Sequence, residues 1–324
     1  MKRFTLVLMV TGICWCKGAL AQQDPQFSQY IFNQFVYNPA YAGMDNALSA
    51  TAHLRTQWVG INGHPFIQNL SVHTPVSLLH GGAGFQVLNE EEGAMRITAV
   101  ALAYSYIYKS RIGKFSFGVS GGLQQASLDG SRLKAPDGNY ENFLVEHNDP
   151  LLPVVSVNGI APDVAAGIFF SSSKVNMGLS ATHLIPAAIK FNSDGGNLEM
   201  NLERQYYFQA SYLLRLGRTV AFRPSIYAKS NGINLQGEAD VVCSFNDLFW
   251  IGGGFRGYND RTQDGIIAMA GINIGENLKV GYSYDYTISP LSASSDGSHE
   301  IVLNYRLNLV RPAKPGKAIY NPRF

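Results

Sequence analysis

The chain is predicted to be all-β, a transmembrane antiparallel β-barrel of about fourteen strands. Three observations carry this: period-two hydrophobicity, one-sided placement of charge, and a parity in the lengths of the connections. In residues 301–309 the odd positions Ile301, Leu303, Tyr305, Leu307 and Leu309 are large and apolar, while Asn304, Arg306 and Asn308 fall on even ones. The stretch before it alternates with the other parity. Leu278, Val280, Tyr282, Tyr284 and Tyr286 share one face, and Lys279, Gly281, Ser283 and Asp285 the other. Period two is the strand period, so each segment offers one face to an apolar medium and one to water. A Lys or Arg turned into lipid near the bilayer midplane costs about 2–4 kcal/mol, so Lys279 and Arg306 are expected to face inward. A sheet spans a membrane only when it closes and leaves no edge unpaired.

Runs of this kind, bounded by Gly, Pro, Asn, Asp and Ser clusters, place strands near 48–58, 64–73, 82–89, 95–109, 114–126, 161–172, 174–184, 203–216, 219–229, 233–245, 247–257, 265–275, 277–287 and 299–310. With the start of the chain in the periplasm, links after even-numbered strands should be short turns. The stretches Pro75–Gly81, Ser110–Gly113, Ser173, Gly217–Arg218, Asn246 and Glu276 all are. The long links, Ser127–Ile160, Ile185–Leu202 and Ile288–Ser298, all follow odd-numbered strands. A secreted sandwich or propeller also uses short alternating strands, but neither has reason to obey this parity. No internal repeat of about 40 residues marks propeller blades.

The ends are organised differently. Lys2 and Arg3, an apolar run from Phe4 to Trp15, and the small-x-small site Ala19-Leu20-Ala21 read as a signal peptide over 1–21. Ile13 and Trp15 precede Cys14 and Cys16 where a lipobox needs a small residue, which argues against a lipoprotein. Losing Lys2, Arg3 and Lys17 leaves 22 of the 25 basic residues against 23 acidic ones. That near-neutral balance gives no basis for a nucleic-acid partner. Only Cys243 survives such cleavage, so neither an internal disulfide nor a thiolate metal cluster is available. No mature run reaches the roughly 20 apolar residues of a transmembrane helix. Residues 22–46, dense in Gln, Asn and aromatics, fit neither period and are expected to form a periplasmic N-terminal segment. The barrel is assigned to 47–310. The tail 311–324, with Arg311, Lys314, Lys317 and Arg323 and no acid, is expected in the periplasm as well.

Catalytic and metal chemistry find little support. Gly252, Gly254 and Gly257 match a dinucleotide-binding spacing, but Tyr258-Asn259-Asp260 reads as a turn where a helix is required. His53, His64, His73, His80, His147, His183 and His299 form no metal spacing on a helix. Ser298-His299-Glu300 has the residue types of a hydrolase triad, yet neighbours on a strand point to opposite faces. Asn259, Asp260 and Asp264 fit solvated turn chemistry better than a calcium loop. No enzyme, cofactor or metal is therefore expected. Arg55, Gln57, Lys114, Arg215, Arg223, Lys229 and Lys279 line the inward face. They read either as lumen solvation paired with acids such as Glu238 and Asp285, or as an anion-tuned pore or docking surface.

Several motifs together resemble the PorP/SprF family of outer-membrane proteins of type IX secretion and gliding systems. They are Asp24-Pro25-Gln26-Phe27-Ser28-Gln29-Tyr30 with Asn38-Pro39-Ala40-Tyr41-Ala42-Gly43, then Arg55-Thr56-Gln57-Trp58-Val59-Gly60 with Gly63, Pro65 and Ser71-Val72-His73-Thr74-Pro75. Met177-Gly178-Leu179-Ser180 with His183-Leu184, and Gly281-Tyr282-Ser283-Tyr284-Asp285-Tyr286 with Gly297-Ser298-His299-Glu300, complete the set. The resemblance implies an outer-membrane barrel that helps secrete or anchor large surface proteins, cell-surface adhesins among them, bearing C-terminal sorting domains. It also implies periplasmic type IX secretion components and a peptidoglycan-associated lipoprotein as partners, beside outer-membrane lipid. The expected partner-binding residues are Phe27, Tyr30, Asn38, Pro39, Tyr41, Gly43, Arg55, Gln57, Trp58, His299 and Glu300. The alternative is a passive channel or a small-molecule or lipid transporter. A barrel this wide has an interior beyond its own side chains, and the aromatics of 22–46 need burial. That segment is therefore a candidate plug or adaptor.

Overall fold

The structure is a computed structural model that describes residues 24–140, 145–149, 152–192, 198–257 and 263–308. The expected signal peptide and basic tail lie outside the described residues. Strands run in chain order as β1 Ala47–Thr56, β2 Phe66–Val76, β3 Gly81–Glu92, β4 Met95–Lys109, β5 Lys114–Asp129, β6 Ser156–Ser171 and β7 Val175–Thr182. A small hairpin follows, β8 Ala188–Lys190 with β9 Glu199–Asn201. The series resumes with β10 Gln205–Tyr212, continued by β11 Leu214–Leu216, and then β12 Val220–Ser230, β13 Leu235–Phe245, β14 Phe249–Gly257, β15 Gln263–Ile274, β16 Leu278–Thr287 and β17 Ser298–Asn308.

Every large strand pairs antiparallel with the next, and β1 pairs with β17 to close the ring, placing Thr51 opposite Asn304. Counting β10 and β11 as one interrupted strand, the barrel has fourteen staves. Closure satisfies the backbone groups that an open edge would leave bare in lipid. β6 begins at Ser156, earlier than the sequence pattern placed it, because Val157 and Gly159 continue the inward parity of Ala161 and Ala165.

The distribution of side chains is inverted relative to a water-soluble protein. Ser49, Thr51, His53 and Arg55 of β1 are buried, as are Glu238, Arg256, Asp285 and Glu300 on other strands. Leu102, Val119, Leu123, Ile226 and Ile301 stand exposed on the outer surface. Polar residues inside and a continuous apolar exterior fit a lipid-facing barrel. Tyr104, Tyr106 and Tyr108 add an aromatic band to the outer surface of β4 near its short turn, the position interfacial aromatics favour. Lys279 and Arg306 face inward as lipid requires: Lys279 lies over the Phe32 ring at 4.4 Å, and Arg306 approaches Asp45.

The long links all lie at one end, together with the short 93–94 and 231–234 turns, and every connection at the other end is short. Residues 24–46 run inside the barrel between these ends. Asp24 bonds to residues beside the long links, whereas Asp45 meets Arg306 near the short-turn end. The segment is therefore enclosed by the barrel rather than extended beyond it as a separate periplasmic piece. Three single turns of 3-10 helix, Tyr30–Phe32, Gln34–Val36 and Pro39–Tyr41, give it shape. Asn38 sets the last of these by accepting the Ala40 N–H at 2.9 Å, with Pro39 pre-set at the first position.

Two glycines let the segment touch the wall. Gly43 has φ +71, and a Cβ there would lie 2.6 Å from the Gly82 Cα. At Gly118 a Cβ would lie 2.2 Å from the Ala40 nitrogen. Gly118→Val should therefore lift the Pro39–Tyr41 turn from β5 at a cost of about 1–3 kcal/mol. Limited proteolysis of outer membranes checks this: residues 24–46 should be trimmed several-fold faster in the variant while the barrel stays intact, and an unchanged rate would refute the contact.

Candidate functional site

The site is the interface between the internal segment and the barrel wall. Its outer half turns on Ser28. The Ser28 N–H donates to Glu300 Oε2 at 2.7 Å and the Gln29 N–H to Glu300 Oε1 at 3.0 Å. The Ser28 hydroxyl donates to Asp285 at 2.7 Å and accepts from Arg55 at 2.9 Å and from Arg256 at 2.6 Å. Arg55 reaches Asp285 at 2.7 Å and Glu300 at 3.2 Å, and Arg256 reaches Glu238 at 2.6 Å and Asp285 at 2.8 Å. Gln26 donates to Glu238 at 2.8 Å. Charges from β1, β13, β14, β16 and β17 thus converge on one serine of the segment. Charge-assisted bonds of this kind are stronger than neutral ones, and removing one partner of a buried pair leaves the other charge exposed to a low dielectric.

Below this hub the contacts become aromatic. Tyr30 packs on Tyr227 at 4.9 Å, Phe32 on Trp250 at 4.4 Å, and Tyr37 on both Tyr207 at 5.3 Å and Tyr227 at 4.9 Å. The Tyr37 hydroxyl accepts the Phe27 N–H at 2.7 Å, and burial pushes its pKa far above the ordinary range, so it stays neutral. Deeper still, Asn33 donates to Ser71 at 2.8 Å, Asn38 donates to the Ile168 and Leu179 carbonyls, and Ser180 donates to the Tyr37 carbonyl at 2.7 Å. At the short-turn end Lys114 donates to the Met44 carbonyl at 3.2 Å and the Gly43 N–H donates to His73 at 3.2 Å. Lys114 and Lys229, read from sequence as lumen-lining cations, hold backbone carbonyls of the segment.

The outer end is fastened by His183, which bonds Asp24 through Nε2 and Asp163 through Nδ1, each at 2.9 Å. Tyr207 and Thr182 donate to the same Asp24 carboxylate, and Lys229 donates to the Asp24 carbonyl at 2.7 Å. Burial opposes charge on both partners. Mutual attraction outweighs it, so His183 is pushed up to about 10 and Asp24 is held well below its usual 3.8.

Of the residues singled out by sequence, Phe27, Tyr30, Asn38, Pro39, Tyr41, Gly43, Arg55 and Glu300 come together along this interface, where their contacts lie within the chain. Gln57 and Trp58 lie beyond β1 and line an open vestibule of about 760 Å³ above Asp24. His299 does not join them: it faces outward, 2.7 Å from the Tyr282 hydroxyl and packed on Tyr284. Sequence reading missed Arg256, which sits in a glycine-rich stretch, although its inward parity with Gly252 and Gly254 was available. It also missed the β8–β9 hairpin, whose Ile189 and Phe191 pack on inward-facing Ile97, Val157 and Ala161. Apolar residues inside a long outer link were the usable signal.

Residues 19–305 match the family described as type IX secretion system membrane protein PorP/SprF. The chain belongs to that family. Among the curated proteins nothing matches. Solved structures with similar folds include CdiB from Acinetobacter baumannii, at 9% identity and TM-score 0.45 over 80% of this chain. This chain spans 60% of the length of that protein. The Ralstonia pickettii toluene transporter TbuX matches at 11% identity and TM-score 0.48, over 84% of this chain and 92% of its own. A Pseudomonas aeruginosa FadL homologue matches at 12% identity and TM-score 0.45, over 89% and 95%. As a PorP/SprF protein the chain resides in the outer membrane, and its family is one of membrane secretion proteins, not a known enzyme family. By the rule for such barrels, the short turns face the periplasm and the Asp24 end faces outward.

The Asp24–His183 pair gives a pH dependence with a defined sign. A raised histidine contributes stability that is fully present below its ordinary 6.5 and is lost as pH climbs toward about 10. The Asp24 contribution is fully present above 3.8 and is lost progressively as pH falls below it. Hydrogen exchange at the Phe27–Gln29 amides should therefore be slower in the wild type than in His183→Gln by a constant factor between about pH 4 and 6.5, with the gap closing by pH 10 and shrinking again in acid below 3.8. A gap that widens as pH rises above 6.5 would contradict the assignment.

Proposed function

We propose that this barrel is a type IX secretion component that helps secrete or anchor large surface proteins bearing C-terminal sorting domains, keeping its lumen shut with residues 24–46. Family membership supports the secretion role. The observation that carries the closed state is the run of contacts from Asp24 to Asp45, which fills the lumen with side chains bonded to the wall at every level. An always-open channel has no use for such a filling. The segment acts as a plug. The outward vestibule bordered by Gln57 and Trp58 is the surface on which a passenger's sorting domain docks. The short-turn face is the side from which periplasmic secretion components and a peptidoglycan-associated lipoprotein approach. Where the passenger is a motility adhesin, the same anchoring serves gliding.

Affinity purification of tagged protein from gently solubilised outer membranes tests this reading. A large surface protein with a C-terminal sorting domain should co-purify with periplasmic secretion components, and the isolated barrel should be electrically silent in planar bilayers. Recovery of the barrel alone, together with stable single-channel conductance, would instead establish the passive-channel alternative.

A further inference from the structure

The plug fills the lumen unevenly. On the side of β1, β14, β16 and β17 it meets long charged residues, but toward β3–β6 the inward residues shrink to Ala99, Ala101, Ala103, Ser120 and Ala165. A shaft of about 130 Å³ remains between that wall and Phe35, Val36 and Tyr37. It is closed below where Phe35 meets Gly84 and Ala40 meets Gly118, and it leads up to Glu90 and Glu203 beside the long links. The volume is of the order that accommodates one benzene-sized group in a protein interior.

Two buried polar side chains lining the shaft are left over. Glu90 and Gln124 are each only 8% exposed, and neither makes a hydrogen bond to a described residue. Of the nearby cations, His183 is held between Asp24 and Asp163, while Lys229, whose ammonium donates to the Asp24 carbonyl, attracts Glu90 from beyond ion-pair distance and is outnumbered by the carboxylates. The mouth therefore carries an excess of carboxylate, with Glu92 and Glu203 beside Glu90.

We propose that this shaft is a binding site for a group that places one ring-sized apolar moiety against the alanine wall and a cationic head on Glu90. That chemistry is shared by an aromatic–lysine pair on a polypeptide and by a free aromatic amine. The site stands on the cavity and on a buried carboxylate that makes no hydrogen bond to a described residue, independently of the secretion role, so binding is measured on the purified barrel where failure of secretion has no bearing.

The test is titration of the full mature barrel in detergent with 2-phenylethylammonium, against neutral 2-phenylethanol and a blocked Phe-Lys dipeptide. The amine should bind saturably and at least tenfold more tightly than the alcohol. Ala101→Phe and Ala99→Leu, each verified as folded by heat-modifiable migration, should weaken the amine at least tenfold by filling the shaft. Glu90→Gln should erase the preference for amine over alcohol while leaving the alcohol's affinity unchanged. Competition by the dipeptide would assign the site to polypeptide, and binding of the amine alone would assign it to a small organic cation. Absence of saturable binding, or binding indifferent to both alanine variants, would overturn the proposal.

Discussion

Closure of the β-ring is the constraint from which the rest follows. Pairing β1 with β17 leaves no edge for lipid to meet, but fourteen staves enclose more volume than their own side chains fill. That volume holds water, or it is occupied by polypeptide that bonds to the polar wall. Here most of it is occupied. Residues 24–46 supply backbone N–H groups to Glu300, a hydroxyl to Asp285, amides to Ser71 and to strand carbonyls, and aromatic rings to Tyr207, Tyr227 and Trp250.

The arrangement divides labour along the axis. Charge is concentrated near the outer half, where Arg55 and Arg256 neutralise carboxylates from separate strands around Ser28. Aromatic packing dominates the middle, and side-chain bonds to backbone carbonyls fasten the short-turn end. Such a plug is strongly held yet built from groups that water can replace, unlike a dry apolar core. The proposed function, a closed barrel that engages a partner at its outer mouth, is served by that chemistry. The free shaft beside the plug is where the seal is thinnest.

Much of the barrel was legible from sequence because lipid imposes a period of two and forbids outward charge; Lys279 and Arg306 alone fix the facing of their strands. Connection parity fixed which ends are short. The interior was less legible. That Phe27, Tyr30 and Tyr41 need burial is local information, but that Ser28 collects two arginines depends on partners more than 200 residues away for Arg256. The expected periplasmic placement of 22–46 followed from an even strand count, and nothing in a period distinguishes a segment below the barrel from one threaded through it. Likewise the β8–β9 hairpin folds inward because Ile189 and Phe191 find an apolar patch on β4–β6, a match visible only once the strands are paired.

Whether residues 24–46 occupy the lumen in the living membrane is the question on which the rest depends, and a single cross-link answers it. Asn33 and Ser71 lie within hydrogen-bond distance at 2.8 Å, one on the plug and one on β2. Asn33→Cys with Ser71→Cys, in a background where Cys243 is serine, should be joined nearly completely by a short bis-methanethiosulfonate cross-linker in intact outer membranes. If no cross-link forms while a Thr51→Cys and Asn304→Cys pair across the closing strands is joined by the same reagent, the barrel is folded with its lumen empty of this segment, and the plugged state is wrong.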